Sequence, residues 1–207
     1  MEDIILSIYI PTYNRVNEVV KQLQFFLEEM KEIDINRVEI IVNNNCSTDD
    51  TEEKVLKITE GTFVKYHKNT SNIGIVGNVY EAAKLVKGKY FWLVSDDDEL
   101  RQGIVKRVLD IIDEYVGINA IFLNYSDYII GSLCNGPNGL IENGVSEIIG
   151  KEYAVKVLEL FGLAVSCVYL KSCFNQMISN ISLEESESYG WGGVCFANCI
   201  EEREGLF

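Results

Sequence analysis

An α/β fold, a mainly parallel sheet flanked by helices, is predicted for roughly the first 125 residues of this 207-residue chain. Short apolar runs rich in β-branched residues alternate with apolar stripes at helical spacing. Polar clusters fall at the ends of those runs, where ligands bind in open parallel sheets. Beyond residue 126 glycine and asparagine punctuation replaces the alternation, which predicts a less regular C-terminal part of the same domain.

The elements follow in order. Ile4 to Ile10 reads as the first strand, ended by Pro11, which cannot donate to a ladder. Val16, Val19, Val20, Leu23, Leu27 and Met30 mark a helix. Val38 to Val42 is the second strand, broken by Asn43, Asn44 and Asn45. Ser47 or Thr48 is expected to cap the helix carrying Val55 and Ile58. Phe63 to Tyr66 reads as a third strand, and Ile75, Val79, Ala82, Ala83 and Val86 as a helix stopped at Gly88. Tyr90 to Val94 is the fourth strand. Ile104, Val108, Ile111, Ile112 and Tyr115 mark a helix, and Ala120 to Leu123 a fifth strand. Residues 126–150 read as an irregular hairpin region. Residues 151–161 and 192–202 read as helices, and Ala164 to Tyr169 as a short strand.

Composition narrows the function classes. The balance of 32 acids against 18 bases gives a net charge of −14, which repels a phosphate backbone and argues against nucleic acid as a partner. A local metal ion can still reverse the field for a small phosphorylated ligand. The apolar segment Ile4 to Ile10 follows Glu2 and Asp3 and is too short for a signal peptide. No run approaches the roughly 18 apolar residues of a membrane span, so a cytoplasmic protein is expected. The six cysteines lack CxxC spacing and His67 is the single histidine, so zinc is not expected and free buried thiols are.

Three strand ends carry polar clusters: Pro11 to Arg15, Asn43 to Asp50, and Ser95 to Asp98. In a parallel sheet all three face one crevice. Asp96, Asp97 and Asp98 are mutually repulsive beside a buried strand, and Mg²⁺ or Mn²⁺ would relieve them through one or two carboxylates. A solvated turn leading into a helix N-terminus fits the triplet equally well. The asparagines are either ordinary turn residues or a rim of amides for a base, and Tyr13 either starts a helix or stacks on a flat ring. Gly74 and Gly77 fit cap geometry or close approach to a nucleotide. The chain has no GxGxxG and no GxxxxGK[ST], which lowers dinucleotide and P-loop folds.

Taken as an ordered set, these motifs resemble the family 2 glycosyltransferases, which have the GT-A fold. The resemblance runs through Ser7 to Arg15, Val42 to Asp49, Asn72 to Gly74, Gly77 and Asn78, Ala82 and Ala83, Gly88 to Tyr90, and Trp92 to Leu100. It covers roughly residues 4–125, and the triplet is similar to that of the branch acting in bacterial surface-polysaccharide assembly. It implies a nucleotide-sugar donor, with a UDP-sugar favoured, held by Pro11, Thr12, Tyr13, Arg15, Asn44, Asn45, Asn78, Asp96 and Asp97. It implies Mn²⁺ or Mg²⁺ on Asp97 and Asp98, with Asp96 at the ribose or sugar. Two departures stand out. Asn43, Asn44 and Asn45 occupy the place of an aspartate-rich turn, and Ser95 replaces the leading acid of the usual DxD.

The family is inverting, so a general base is expected from residues 126–207, the acceptor-side part of a single domain. Among Glu184, Glu185 and Glu187, the reading selects Glu187, and Trp191 is expected to stack on an acceptor sugar. A solvated acidic loop with a packing tryptophan is the plainer account. The acceptor implied is a saccharide or lipid-linked saccharide, reached in the cytoplasm or at the inner face of the membrane, with at most peripheral association. Relatives commonly run on past the point where this chain ends at Phe207, so a compact member and a truncated one are both expected forms. A sugar nucleotidyltransferase would want a glycine-rich, arginine-containing loop after the first strand, and Pro11 to Arg15 does not supply it. A non-catalytic nucleotide-sugar-binding module is the alternative that donor hydrolysis separates.

Overall fold

A computed structural model of the chain describes residues 4–115, 118, 120–123, 126–129, 132–135, 167–180 and 182. The strands are β1 (Leu6–Thr12), β2 (Val38–Asn44), β3 (Lys65–Lys68), β4 (Tyr90–Leu93), β5 (Ala120–Phe122), β6 (Ser126–Ile129), β7 (Ser132–Asn135) and β8 (Cys167–Leu170). The helices are α1 (Val16–Glu29), α2 (Thr51–Thr59), α3 (Gly74–Tyr80), α4 (Ala82–Leu85), α5 (Ile104–Glu114) and α6 (Lys171–Asn180), with a 3-10 turn at Met30–Glu32. Six strands form one sheet in the order β3-β2-β1-β4-β8-β5. The pairs β1–β2, β1–β4 and β2–β3 are parallel. β8 runs antiparallel to both β4 and β5. β6 and β7 form a separate antiparallel hairpin.

Period-2 alternation divides the side chains between two faces. Leu6, Ile8, Ile10, Ile40, Val42, Tyr90, Trp92 and Val94 pack in one cluster with Val19, Leu23 and Phe26 of α1, Val55 of α2 and Val105 and Val108 of α5. Phe26 meets Trp92 edge to face at 6.4 Å. The opposite face carries Tyr9 and Phe91, and Phe174 of α6 lies 4.3 Å from the Phe91 ring. Helices therefore cover both faces, which is why β1, β2 and β4 are buried along their whole length except at Pro11.

Several boundaries differ from the sequence reading, each for a physical reason. Pro11 lies inside β1. Tyr9 O accepts from Val94 N on the β4 side, and Thr12 O accepts from Asn45 N on the β2 side. By that alternation the Pro11 nitrogen faces β4, beyond the last pair, Tyr9 with Leu93, where no ladder bond is needed. β2 continues through Asn43 and Asn44, both fully buried and supplied with side-chain partners. β3 starts at Lys65, two residues later than expected. Neither Ser47 nor Thr48 caps α2, whose N-cap is Asp50. β8 lies between β4 and β5, an arrangement that helical and strand periodicity does not reveal. The expected helices over 151–161 and 192–202 lie outside the described residues.

Gly88 does more than stop a helix. A Cβ there would sit 2.7 Å from the backbone nitrogen and from Oγ of Ser7. The close approach lets Gly88 N donate to Ser7 Oγ at 2.7 Å. Ser7 Oγ in turn donates to the buried carboxylate of Glu39 at 2.5 Å. Burial opposes ionisation of Glu39, but Lys65, the Ser7 hydroxyl and the Lys87 N–H hold its pKa below the usual range. Gly88→Ala is expected to cost about 1–3 kcal/mol by overpacking. Urea denaturation measures it, and an unchanged midpoint would show that the Ser7 backbone yields.

Candidate active site

The carboxyl ends of β1, β2 and β4 meet at one edge of the sheet, as parallel pairing requires. Thr12, at the end of β1, donates its hydroxyl to Asp96 Oδ2 at 2.7 Å. Arg15, in the turn before α1, reaches the same carboxylate with Nη1 at 3.0 Å from Oδ1. That nitrogen also donates to Asp97 Oδ2 at 2.5 Å. Ser95 Oγ donates to the other oxygen of Asp97, and Ser95 N donates to Asp98 Oδ2 at 3.0 Å. The serine in place of a leading acid thus bonds Asp97 and Asp98, two of the three acids that follow it.

The three aspartates occupy different environments. Asp96 is 4% exposed, and burial pushes its pKa up against the hydrogen bonds from Thr12 and Arg15. The Asp97 side chain is 48% exposed, and the Ser95 hydroxyl together with Arg15 holds its pKa below the usual range. Burial pushes Asp98 up to about 6, with Asp97 and Asp96 adding repulsion and only the Ser95 N–H opposing. Among the described residues no group of three or more His, Cys, Asp or Glu converges as a metal cage. The donor set still fits a hard cation held by one or two carboxylates. Asp96 and Asp97 are already gathered around the positive charge of Arg15, and no lysine or arginine pairs with Asp98 among the described ion pairs.

The asparagines form a buried web that the sequence reading missed. Asn43 Nδ2 donates to Tyr9 Oη and to Asn78 Oδ1. Tyr9 Oη donates to Asn78 O, and Asn78 Nδ2 to Asn43 O. Asn69 Nδ2 donates to Asn78 Oδ1 at 2.9 Å and to Asn45 Oδ1 at 3.0 Å. Asn45 Nδ2 donates to Asn72 Oδ1 and Gly74 O. Asn44 Nδ2 donates to Tyr66 Oη, and its Oδ1 accepts from Ser47 N. The amides of Asn44, Asn45 and Asn78 are therefore engaged within the protein. The amides of Asn43, Asn45, Asn69 and Asn78 tie residues 69–78 to β1 and to the end of β2. Gly74 opens α3 with a left-handed φ of +77°, and its N–H bonds Asn72 Oδ1.

Tyr13, 40% exposed at this edge, keeps a free aromatic surface. Asn14 adopts φ +52° and joins the two neighbouring turns, since Asn14 N donates to Ser47 Oγ and Thr48 N donates to Asn14 Oδ1. The structure thus brings Pro11, Thr12, Tyr13, Arg15, Asn44, Asn45, Asn78 and the triplet to one region. Glu184, Glu185, Glu187 and Trp191 lie outside the described residues. The density of asparagine at 43–45, 69, 72 and 78 was the sequence signal for the web.

Two outcomes follow from this geometry. Asn78→Ala strips partners from Asn43 and Asn69 and is expected to cost about 2–3 kcal/mol, read by chemical denaturation. Asp98, whose pKa is raised on folding, binds its proton more tightly in the folded protein. Its contribution favours folding below about pH 4 and is lost as pH climbs through about 6. In metal-free and nucleotide-free protein, the gain in Tm from Asp98→Asn should therefore be larger at pH 7.5 than at pH 4. Parallel Tm–pH curves for variant and wild type would refute this.

Comparison with known proteins gives the site its context. The model of "Glycosyl transferase family 2" matches residues 7–128. An abequosyltransferase of Salmonella typhimurium is 29% identical over 119 residues, 56% of this chain and 34% of that protein. A GalNAc(5)-diNAcBac-PP-undecaprenol beta-1,3-glucosyltransferase of Campylobacter jejuni is 26% identical over 200 residues, 96% of this chain and 60% of that protein. The crystal structure of Staphylococcus aureus TarS 1–349 in complex with UDP-GlcNAc superposes with a TM-score of 0.67 at 19% identity, covering 84% of this chain and 47% of that one. The chain spans between about a third and three fifths of the length of these proteins. The TarS likeness establishes the GT-A fold, and with more than half of its length matched by the family model, the chain belongs to glycosyl transferase family 2.

Proposed function

We propose that this chain transfers a sugar from a nucleotide-diphosphate sugar, most simply a UDP-sugar, to a saccharide or lipid-linked acceptor, with inversion, in cell-surface polysaccharide synthesis. The observation that carries the reading is the convergence of three strand ends, with Asp96 and Asp97 drawn together by Arg15 at the crevice edge. The Salmonella and Campylobacter relatives, both named as sugar transferases and the second with a lipid-linked saccharide in its name, support the reaction and acceptor class, and the UDP-GlcNAc complex of the TarS neighbour supports the donor class.

In this reading Tyr13 offers its exposed ring to the base, and Thr12 holds Asp96 beside the ribose. Asp97 and Asp98 would hold Mn²⁺ or Mg²⁺, which when bound neutralises charge on the departing nucleoside diphosphate. Glu187 takes the proton of the acceptor hydroxyl as that oxygen bonds to the anomeric carbon. The bond from that carbon to the diphosphate oxygen breaks in the same displacement, so no sugar–enzyme bond forms. Trp191 stacks on the acceptor ring. No helix among the described residues is long and apolar enough to cross a membrane. We place the reaction in the cytoplasm, with at most peripheral contact at the inner membrane face when the acceptor is lipid-linked.

A thermal-shift screen of nucleoside diphosphates and their sugars, with and without Mn²⁺, tests the donor site. A site that binds the folded chain at 100 times its Kd should add about 2.7 kcal/mol of stability, readily visible in Tm. UDP with Mn²⁺ is expected to raise Tm, and Asp97→Ala to abolish the metal-dependent part. No shift with any nucleotide–metal pair would remove the donor site. A shift without any UDP release from UDP-sugars would identify a binding module rather than a transferase.

A further inference from the structure

Arg15 stands where the metal's charge would be needed. A single nitrogen of its guanidinium bridges Asp96 Oδ1 at 3.0 Å and Asp97 Oδ2 at 2.5 Å. Thr12 and Ser95 fill the remaining oxygen of each acid. Among the described residues Arg15 is the cation that pairs with the triplet. We propose that Arg15 and the divalent cation are alternative occupants of Asp97, so that Arg15 acts as an internal latch which the metal must displace. This rests on the metal-dependent reading proposed above.

The argument has three parts. Two adjacent carboxylates repel each other, and in the absence of a metal the guanidinium offsets that repulsion and fixes both side chains. A divalent ion on Asp97 would then lie within a few ångströms of a guanidinium, and like charges so placed oppose each other. Asp96 is buried and keeps its bond from Thr12 when the shared nitrogen withdraws, so the metal is taken up at Asp97, whose pair with Arg15 is exposed to solvent on both sides. The Arg15 side chain is 48% exposed, leaving it room to withdraw. Thr12 still holds Asp96 Oδ2 after Arg15 leaves, so one of the two bonds to that acid survives the exchange. The consequence is negative coupling. Whatever Arg15 contributes to holding Asp97 in the metal-free protein is subtracted from metal affinity.

Mn²⁺ titration followed by the electron paramagnetic resonance of the free ion, on the full chain without nucleotide, tests this. Arg15→Gln removes the charge and is expected to bind Mn²⁺ about three- to tenfold more tightly than wild type, the range of a partly exposed charge-assisted pair. Arg15→Lys keeps the charge without the planar fork and should fall between them. In an Asp97→Asn background, Arg15→Gln should give no gain, which a merely structural role for Arg15 would not produce. Circular dichroism melts confirm that each variant is folded. Equal or weaker Mn²⁺ binding by Arg15→Gln, when wild type binds the ion, overturns the latch and leaves the donor-site reading standing. Absence of Mn²⁺ binding in wild type and variant alike overturns the metal reading and the latch together. Binding by Arg15→Gln alone supports both.

Discussion

The buried carboxylate of Asp96 holds the working edge of this protein together. A carboxylate removed from water is costly unless its oxygens are bonded, and here each oxygen has a donor from another element. Thr12 supplies one from the end of β1 and Arg15 the other from the turn into α1. Because β1 is paired on both sides, fixing its end against β4 also fixes where β2 ends. Asn14 then carries the tie to the turn after β2 through Ser47 and Thr48. Three chain reversals far apart in sequence become one rim.

The asparagine web does for residues 69–78 what Asp96 does for the end of β1. Asn43 and Asn44 have poor strand propensity, and the sequence reading ended β2 before them. Their native partners are Tyr9, Tyr66, Ser47 and Asn78, several of them more than twenty residues away, and those bonds override the local preference. Pro11 was misread for a related reason. Proline stops a strand only where its missing N–H faces a neighbour, and here it faces the side on which pairing has already ended. Local propensity was sound in both places, but the facts that decided the outcome are tertiary.

What was legible follows the same line. The alternation of strands and helices, the location of the three polar clusters and the two-faced burial of β1, β2 and β4 are periodic features, and periodicity is written locally. The insertion of β8 between β4 and β5 is a matter of which edges find each other late in the chain, and no spacing records it. In the site, the sequence placed the triplet after β4 and gave its members different roles by resemblance, but their different burial and partners are visible only in space. Ser95 looked like a lost acid. In space it is the donor that orients Asp97 through its hydroxyl and Asp98 through its N–H.

Environment, rather than residue type, sets the three aspartates apart. Burial drives Asp96 and Asp98 towards protonation, while hydrogen bonds to an exposed carboxylate keep Asp97 charged. A group that is both ionised and half exposed can exchange partners at little cost. A buried group with both oxygens bonded cannot. For a chain of net charge −14, any anionic ligand reaching this rim meets a repulsive background. Asp97, paired with Arg15 at the surface, is therefore the point of the rim where that background is already offset, and Asp96 beside it is held by Thr12 as well as by Arg15.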